Sequence, residues 1–345
     1  MTVMDIWQDE ISRIPSLWKE KNVVFITDGN VRHAHPGLFC VRPALVLEPG
    51  EKNKTLDTIH SVYQKFMKLE VDRSWHIVGI GGGIICDMTG FASATFLRGI
   101  PFSLVPSTLL AQTDASIGGK CGCNLNGYKN LIGTFAHPEK VVFCLNLLST
   151  LPQREILNGF TEIFKHALVA DAGFFSFLEK EGKRIIQLNR SVLEHAVTAS
   201  IAIKKNIAKK DERDLGDRHI LNFGHTLGHA VESEYSLSHG SSVSLGISFA
   251  CFVSKLLNRL NKTDYQRILH LMLHLGLPIR RSFDPDQIMK AVVRDKKRRN
   301  GIIRFIGLSG IGSPEIIPLE ISQIHNFLKK FAPSTDLAKG AGHHE

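Results

Sequence analysis

Three histidines in the second half of the chain have the spacing of metal ligands. His225 and His229 stand four positions apart in a glycine-flanked run, and His239 follows ten residues later. Residues at i and i+4 lie on one face of a helix, so both imidazoles would face the same way. A carboxylate from another helix, with Glu162 as the candidate, would complete the ligand set of a divalent transition metal. A lone histidine would be taken as a core residue, but three together predict a metal site.

A glycine-rich turn follows a predicted strand in the first half of the chain. The apolar run 76–80 leads into three consecutive glycines that end at Gly83, and a helical pattern containing Asp87 comes next. Consecutive glycines let a backbone approach a pyrophosphate at a helix N-terminus. Because Ile84 interrupts the G-x-G-x-x-G fingerprint, a plain strand-to-helix turn is the alternative.

Polar side chains also follow the first two predicted strands. Asp28 and Asn30 come directly after the first, and Glu51 and Lys54 after the second. Acidic residues at such positions often hold ribose hydroxyls, but turn and helix-cap chemistry uses the same residue types. Both interpretations stay open at this point.

A further polar group lies in glycine-rich segments. Asp114 and Lys120 enclose an Ala-Ser-Ile-Gly-Gly run, and Lys129 and Asn130 follow shortly after. This density of hydrogen-bond donors suits an anionic ligand, although solvated loops have similar composition. A basic run at 295–299 lacks interleaved aromatic residues, which argues against a nucleic-acid partner. Other cations near these motifs are Arg98, Lys204, Arg213 and Arg218.

The elements that must position these residues change character near residue 148. Short apolar strands alternate with helical patterns before it, and long amphipathic helices dominate after it. Alternating β and α elements with Gly or Asp at the strand ends are typical of an open parallel sheet, which binds ligands beyond its strand carboxyl ends. We therefore predict an α/β nucleotide-binding domain with an open, mostly parallel sheet over 1–148, and an all-α metal- and substrate-binding domain over 149–345. The predicted strands are 21–27, 44–47, 76–80, 102–105, 141–144 and 302–306, and the predicted helices are 55–69, 87–95, 155–169, 173–182, 191–210, 219–234, 241–258 and 264–274.

Composition and charge narrow the protein class. The 345 residues are 43% apolar and 22% charged, which excludes disordered and collagen-like chains. Lys plus Arg exceed Asp plus Glu by 42 − 33 = 9, which suits an anionic partner such as a phosphorylated substrate. No apolar run approaches the ~20 residues needed to cross a bilayer, and the first residues carry acids rather than the bases of a signal peptide. Six scattered cysteines without a CxxC pair indicate free thiols, so we expect a cytoplasmic protein with no membrane partner.

In their order and spacing, the motifs resemble those of the 3-dehydroquinate synthase family. Between about residues 26 and 306 the chain carries GGGxxxD, FLRG, TDASIGGK, YKNLIG, LPQRExLNGxxExxK, DERDxxxR, LNFGHTLGHAxE, HG and DKK. That family joins a nucleotide-binding α/β domain to a helical domain and uses NAD with zinc or cobalt, commonly as a homodimer. The resemblance implies conversion of DAHP (3-deoxy-D-arabino-heptulosonate 7-phosphate) to 3-dehydroquinate plus phosphate, a step of the shikimate pathway toward chorismate and aromatic amino acids. The implied chemistry is transient oxidation by NAD, β-elimination of phosphate, return of the hydride and intramolecular aldol closure.

The resemblance also implies roles for individual residues. It implies metal coordination by Glu162, His225 and His239, and acid–base chemistry by His229. It implies substrate contacts for Arg98, Asp114, Lys120, Asn130, Lys165, Lys204, Arg218 and Asn222, and for Lys296 or Lys297. It implies NAD contacts for Asp28, Asn30, Glu51, Lys54, Gly82, Gly83, Asp87, Ser107, Thr108, Lys120, Lys129 and Thr150.

Three features depart from the family's pattern. Ser241 stands where the family has Glu after His239-Gly, and the missing acid would orient His239 or its neighbours. Tyr128 replaces part of a Leu-Gly-Lys sequence before Asn130 and would reshape the substrate's edge. The segment before the first nucleotide-binding strand is short, so we expect it to lack the strand and turn that usually stand there.

Other functions fit part of the same pattern. A sister cyclase acting on sedoheptulose 7-phosphate, on glucose 6-phosphate to give 2-deoxy-scyllo-inosose, or on an amino analogue of DAHP is the nearest alternative. The sedoheptulose enzymes tend to lose the second histidine of the GHxxGH motif, and His229 is present here. A metal- and NAD-dependent alcohol dehydrogenase would need fewer cations and would release NADH. A silent homologue kept as a binding protein would not need the metal, base and cation sets together.

Overall fold

Ten strands and eleven helices make up the described part of the chain, residues 3–295 and 301–332 of a computed structural model. The strands are β1 (Met4–Trp7), β2 (Val23–Asp28), β3 (Ala44–Leu47), β4 (His76–Gly81), β5 (Phe102–Pro106), β6 (Lys120–Leu125), β7 (Tyr128–Phe135), β8 (Lys140–Phe143), β9 (Ile302–Gly310) and β10 (Ser313–Glu320). The helices are α1 (Gly29–Ala34), α2 (Leu56–Lys68), α3 (Gly83–Thr95), α4 (Gln153–Ala170), α5 (Ala172–Ile186), α6 (Arg190–Lys210), α7 (His225–Tyr235), α8 (His239–Leu256), α9 (Lys262–His274), α10 (Pro285–Asp295) and α11 (Ile321–Phe331). Short 3-10 segments lie at Ile11–Trp18, Pro36–Phe39, Glu51–Asn53, Phe96–Arg98, Leu145–Thr150 and Asp217–Asn222, and a π turn lies at Ala111–Ala115.

A six-stranded parallel sheet in the order β1-β8-β5-β4-β2-β3 forms the core of the first part of the chain. Successive side chains of a strand point to opposite faces. In β2, Val24 and Ile26 pack into the apolar cluster that contains α2, whereas Val23 and Phe25 pack into the cluster on the other face. Burial on both faces explains why these strands are apolar throughout.

The strand order places a topological switch point between β2 and β4. The chain steps from β2 to its neighbour β3, and then crosses through α2 to β4 on the other side of β2. Open α/β sheets bind ligands at such a point, beyond the carboxyl ends of the strands. Asp28 ends β2 there, and Gly82 follows β4 as the N-cap of α3.

By contacts the chain divides into two compact units. The first contains the residues up to Gly159 together with Leu188–Arg213, and the second contains Phe160–Gln187 and the residues from Asp214 onward. Within the first unit, Arg190 of α6 binds Asp9 and Lys205 binds Asp5. The chain therefore crosses between units more than once, whereas the sequence predicts one boundary at residue 148; that domain boundary stays a prediction.

The second unit is helical, with one antiparallel hairpin, β9–β10. Its apolar core includes an aromatic group in which Phe249 of α8 meets Phe305 of β9 and Phe331 of α11, with ring centroids 6.0 and 5.3 Å apart. All three rings are almost completely buried. Helix α11 is therefore attached to the unit's core by an aromatic contact at its last residue.

The predicted fold class, an open, mostly parallel α/β sheet followed by a helical domain, is confirmed, but the second unit is not all-α as expected, because it contains the hairpin β9–β10. The expectation that no strand precedes β2 is wrong, since β1 pairs in parallel with β8. The hairpin β6–β7 was not predicted, because Gly and Asn residues interrupt its apolar alternation. Strand β10 was not predicted because Pro314 and Pro318 argue against a strand. Both prolines are tolerated here because each strand of a two-stranded sheet is an edge strand.

Two further expectations from the sequence concern thiols and membranes. All six cysteines are free, and only Cys40 among them is exposed. Within the described residues, the helices are too short or too polar for any of them to traverse a bilayer.

His76 is a buried histidine in the middle of the parallel sheet. Its Nε2 lies 2.8 Å from the Ser103 hydroxyl, and its Nδ1 lies 3.4 Å from the Lys21 ammonium. An ammonium only donates, so Nδ1 accepts from Lys21, although the Glu139 carboxylate lies 3.7 Å from the same nitrogen and opposes the effect of Lys21. Burial, reinforced by the charge of Lys21, lowers the pKa of His76 from 6.5 to about 4.

We expect the first unit to lose stability as the pH falls from 6.5 toward 4, because the unfolded chain binds a proton there that folded His76 does not. The loss attributable to His76 is as much as about 3 kcal/mol, and His76→Gln should remove it. Urea unfolding followed by tryptophan fluorescence measures this, since all three tryptophans, Trp7, Trp18 and Trp75, lie in the first unit. Equal pH dependence in both proteins would contradict the assignment.

Candidate active site

Three side chains of the second unit form a compact donor cluster. Glu162 comes from α4, His225 is the first residue of α7 and His239 is the first residue of α8. Glu162 Oε1 lies 3.2 Å from His239 Nε2 and 3.9 Å from His225 Nε2. Ligand atoms from all three residues lie within 4.8 Å of one another. The structure thus brings together the three predicted metal ligands.

The histidines meet because two helices begin side by side. Gly224, with φ +80°, caps α7 in a left-handed conformation that favours glycine, and Ser238 caps α8. A Cβ placed on Gly246 of α8 would lie 1.7 Å from the Gly224 carbonyl oxygen, so α8 approaches the start of α7 over a glycine. The His225 and His239 rings consequently lie with their centroids 5.7 Å apart.

The donor set fits a divalent cation of the zinc or cobalt type. It offers one carboxylate oxygen and two imidazole nitrogens, the ligands of many three-residue catalytic sites. Zinc bonds of about 2.0–2.1 Å place tetrahedral ligand atoms roughly 3.3 Å apart, and the Glu162–His239 separation is already of that size. We conclude that these residues can hold such an ion.

Electrostatics within the cluster differ between the two histidines. Glu162 is completely buried and pairs with Lys165 on the same helix. Burial and the Lys165 charge lower the pKa of His225 despite Glu162, so its ring is neutral, as a metal ligand must be. Burial disfavours charge on His239, but the hydrogen bonds that its ring donates to Glu162 and Glu232 outweigh burial and raise the pKa of His239 to about 10, so a cation would have to displace a proton from this ring.

His229 stands beside the donor cluster without belonging to it. It lies one turn after His225 on α7, and the two rings meet edge to face with centroids 5.0 Å apart. The cluster of metal-ligand geometry contains Glu162, His225 and His239 but not His229. This arrangement supports the predicted division between ligands and acid–base group.

A second polar group lies in the first unit, where residues predicted for cofactor and substrate meet. The buried Lys54 ammonium donates to the Asp87 carboxylate and to Asn130 Oδ1. The Asn130 N–H donates to Asn124 Oδ1 at 2.9 Å, and Asn124 Nδ2 donates to Glu51 at 2.8 Å. Burial raises the pKa of Asp87 although the Lys54 charge opposes it. Hairpin β6–β7 is thus fastened to the start of α3.

The glycine turn fits the close approach of a dinucleotide backbone. Gly82 and Gly83 begin α3, a helix of 13 residues, at the switch point of the sheet. A Cβ on Gly82 would lie 3.2 Å from Thr108 Cγ2, and one on Gly83 would lie 3.2 Å from the Cβ of Ala115. Larger residues would therefore fill the cradle in which a pyrophosphate could meet the helix N-terminus.

The sequence left open whether Asp28 contacts a ribose or caps a helix. Its carboxylate accepts a hydrogen bond from the Val31 N–H at 3.0 Å and caps α1, so the helix-cap interpretation is correct for this side chain. Its second oxygen and its place at the end of β2 still suit a ribose hydroxyl, and that role stays a prediction.

The other predicted residues of the first unit lie on several elements. Lys204 of α6, almost buried, lies with its ammonium 2.7 Å from Asp114 Oδ1. The Thr150 hydroxyl lies 3.1 Å from His35 Nε2. Asn30 lies in α1, Ser107 and Thr108 follow β5, Lys120 begins β6, and Lys129 lies in β7.

Arg98 is not brought together with the group around Lys54. Because β4 and β5 are parallel, α3 must run back along the sheet before β5 begins at Phe102. The 13 residues of α3 span about 20 Å. Arg98 therefore lies exposed near the amino-terminal ends of the strands, whereas Gly82 lies at their carboxyl ends. Sequence order alone could not show which edge Arg98 occupies.

The remaining predicted residues belong to the second part of the chain. Arg218 and Asn222 lie in the 3-10 segment that precedes α7, and Arg218 is buried. Lys296 and Lys297 lie outside the described residues. One residue was missed: Glu232, whose carboxylate lies 3.4 Å from His239 Nδ1. Its signal was the spacing of seven from His225, which places it on the same face of α7.

Comparison with known proteins identifies relatives over most of the chain. Residues 44–158 match the family model described as 3-dehydroquinate synthase N-terminal, and residues 159–298 match the C-terminal one. The 3-dehydroquinate synthase of Pelobacter propionicus is 40% identical over 285 residues, covering 81% of this chain and 79% of that protein. The 3-dehydroquinate synthase of Citrifermentans bemidjiense is 43% identical over 273 residues, covering 78% and 75%.

Solved structures share the fold at lower identity. A 2-epi-5-epi-valiolone synthase from Streptomyces hygroscopicus subsp. jinggangensis, with NAD+ and Zn2+ bound, matches with a TM-score of 0.88 at 24% identity over 96% of this chain and 97% of that one. A 2-deoxy-scyllo-inosose synthase complexed with carbaglucose-6-phosphate, NAD+ and Co2+ matches with a TM-score of 0.82 at 24% identity over 95% and 96%. At this identity the likeness concerns the fold alone.

We expect His225→Ala to abolish stoichiometric zinc binding, because it removes a donor of the cluster. His229→Ala should keep the zinc, because its ring is not a donor of the cluster. It should lose turnover, because the variant lacks the predicted acid–base group. Metal content after dialysis, measured by atomic emission, separates the two variants. Loss of zinc from the His229 variant would show that the division of roles is wrong.

We expect Gly246→Ala to weaken zinc binding and to destabilise the protein by roughly 1–3 kcal/mol, because the new methyl group collides with the Gly224 carbonyl. Gly310→Ala is the matched control, since a Cβ there would meet its nearest neighbour, Asp264, at 3.9 Å. Zinc titration and thermal unfolding measure both effects. Equal behaviour of the two variants would contradict the close approach of α8 to α7.

Proposed function

The chain belongs to the 3-dehydroquinate synthase family, and from that premise we propose that it converts DAHP to 3-dehydroquinate and phosphate. The reaction is that of a carbon–oxygen lyase that uses NAD and a divalent metal, zinc or cobalt. The observation that carries the proposal is the cluster of Glu162, His225 and His239, which lies within the part of the chain that the C-terminal family model matches.

Two bound groups would supply the chemistry that amino-acid side chains lack. A divalent cation polarises a hydroxyl and a neighbouring ketone, and NAD accepts and returns a hydride. Glu162, His225 and His239 would hold the cation. The glycine turn at the start of α3, with Asp28, Glu51, Lys54 and Asp87 around the switch point, would hold NAD.

The chain's own residues would bind and deprotonate the substrate. A phosphate dianion and a carboxylate need several directed cations, and Lys165, Lys204 and Arg218 are buried candidates. Lys204 is held by Asp114, and Lys165 by Glu162. His229, next to His225, would transfer a proton between the substrate and its imidazole nitrogen. Donors aimed at the phosphate would also favour its departure.

Location and assembly follow from the same family membership. We propose a cytoplasmic enzyme that acts as a homodimer on a small anionic sugar phosphate. The low share of aromatic residues in its basic segments supports a substrate of this kind over nucleic acid.

We expect the purified protein, supplied with DAHP, NAD and zinc, to release phosphate without accumulating NADH, since the hydride returns within one turnover. A phosphate assay run together with absorbance at about 340 nm measures both quantities, and mass spectrometry of the product should give 3-dehydroquinate. Glu162→Gln is the control that should abolish phosphate release.

Each other outcome points to a different function. Phosphate released from sedoheptulose 7-phosphate or glucose 6-phosphate, but not from DAHP, would indicate a sister cyclase. A steady rise in NADH without phosphate would indicate an alcohol dehydrogenase. No turnover of any of these substrates, with NAD binding retained, would indicate a binding protein.

A further inference from the structure

Glu232 shares a helix face with the two histidines of α7. The positions 225, 229 and 232 follow the spacing i, i+4, i+7, which aligns side chains along one stripe of a helix. The Glu232 side chain is only 10% exposed. A carboxylate that is nearly buried needs a partner that compensates its charge.

One such partner is Nδ1 of the His239 ring, the nitrogen on the side away from the donor cluster. His239 Nε2 lies 3.2 Å from Glu162 Oε1, inside the donor cluster, and His239 Nδ1 lies 3.4 Å from Glu232 Oε2. The two carboxylates thus lie at opposite ring nitrogens, and only Glu162 belongs to the cluster of metal-ligand geometry.

We propose that Glu232 is a positioning residue that prepares His239 for metal binding, an inference that rests on the metal site of the proposed function. An ionised carboxylate only accepts hydrogen bonds, so Nδ1 must carry the proton that it donates to Glu232. Nε2 is then the nitrogen that faces Glu162 and His225, and a bound cation would take the place of the proton that Nε2 donates to Glu162. Such a carboxylate–histidine pair orients the ring and increases the basicity of the ligating nitrogen.

Ser241, the other polar side chain close to His239 in sequence, is committed elsewhere. Its hydroxyl accepts from the Ser238 hydroxyl at 2.9 Å, and its N–H donates to the same oxygen at 3.4 Å. Both contacts belong to the cap of α8. Ser241 therefore helps to begin the helix, and the orientation of the His239 ring falls to Glu232.

Glu234 provides a matched control on the same helix. Its carboxylate lies 2.8 Å from Arg294 and 2.9 Å from Gln287, away from the histidines, and its side chain is 16% exposed. Glu234→Gln removes the same charge from α7 as Glu232→Gln and leaves the His239 contact in place. A difference between these two variants therefore reports on His239 and not on the charge of the helix.

The test is the affinity of the full-length protein for zinc, measured by competition with a chromogenic chelator. We expect Kd to rise about 10-fold in Glu232→Gln and about 100-fold in Glu232→Ala, and to stay at the wild-type value in Glu234→Gln. The visible absorption of bound Co2+ should shift in both Glu232 variants and not in the control, because the ligand field changes. Circular dichroism of the metal-free variants checks that each has folded.

The outcomes separate the two proposals. Wild-type zinc affinity and an unchanged Co2+ spectrum in the Glu232 variants would overturn the positioning role while leaving the metal site intact. An equal loss of affinity in Glu234→Gln would overturn it as well, since the effect would then come from helix charge. Failure of the wild-type protein to bind zinc or cobalt would instead refute the metal site itself.

Discussion

The Glu162 carboxylate has none of its surface exposed, and polar groups from α4, α7 and α8 surround it. Desolvating a carboxylate is costly unless opposite charges and hydrogen-bond donors surround it. Lys165 from the next turn of α4 and the imidazoles of His225 and His239 supply that surrounding. Because the two histidines begin α7 and α8, the same requirement sets how these helices start and how closely they approach. A cation of the proposed kind would strengthen an arrangement that the protein already stabilises.

Among the described residues, the buried lysines each contact a carboxylate. Lys54, Lys165 and Lys204 are all nearly inaccessible, and they contact Asp87, Glu162 and Asp114 respectively. Each pair is close to neutral, so these lysines would act on a ligand through directed N–H donors more than through uncompensated charge. The overall surplus of nine positive charges is therefore not a measure of the charge inside the candidate site.

Local sequence spacing predicted helix faces and buried strands, but it could not predict contacts between residues that are distant in the sequence. The i, i+4 pair His225 and His229 predicted the face of α7 that meets the donor cluster, and apolar runs predicted the strands that are buried on both faces. Glu232 was missed because a lone acid in a helix is usually a surface residue, and only the position of His239 in space gives it a role. Contacts such as Lys204 with Asp114, 90 residues apart, depend on how the chain returns to the first unit after Leu188. A motif also does not reveal which end of the strands Arg98 occupies, and its predicted substrate contact stays a prediction.

Because Lys54 contacts both Asp87 and Asn130, ligand binding at one of these side chains is expected to affect ligand binding at the other. The Lys54 ammonium binds both Asp87, which lies in α3 just after the glycine turn, and Asn130, which lies on the hairpin β6–β7. Any ligand that draws Asp87 away changes how firmly Asn130 is held, and a ligand that recruits Asn130 changes the availability of Asp87. Thermodynamic reciprocity requires the two effects to be equal in free energy. We therefore expect ligand binding near the start of α3 and the position of the hairpin to be linked through this one lysine.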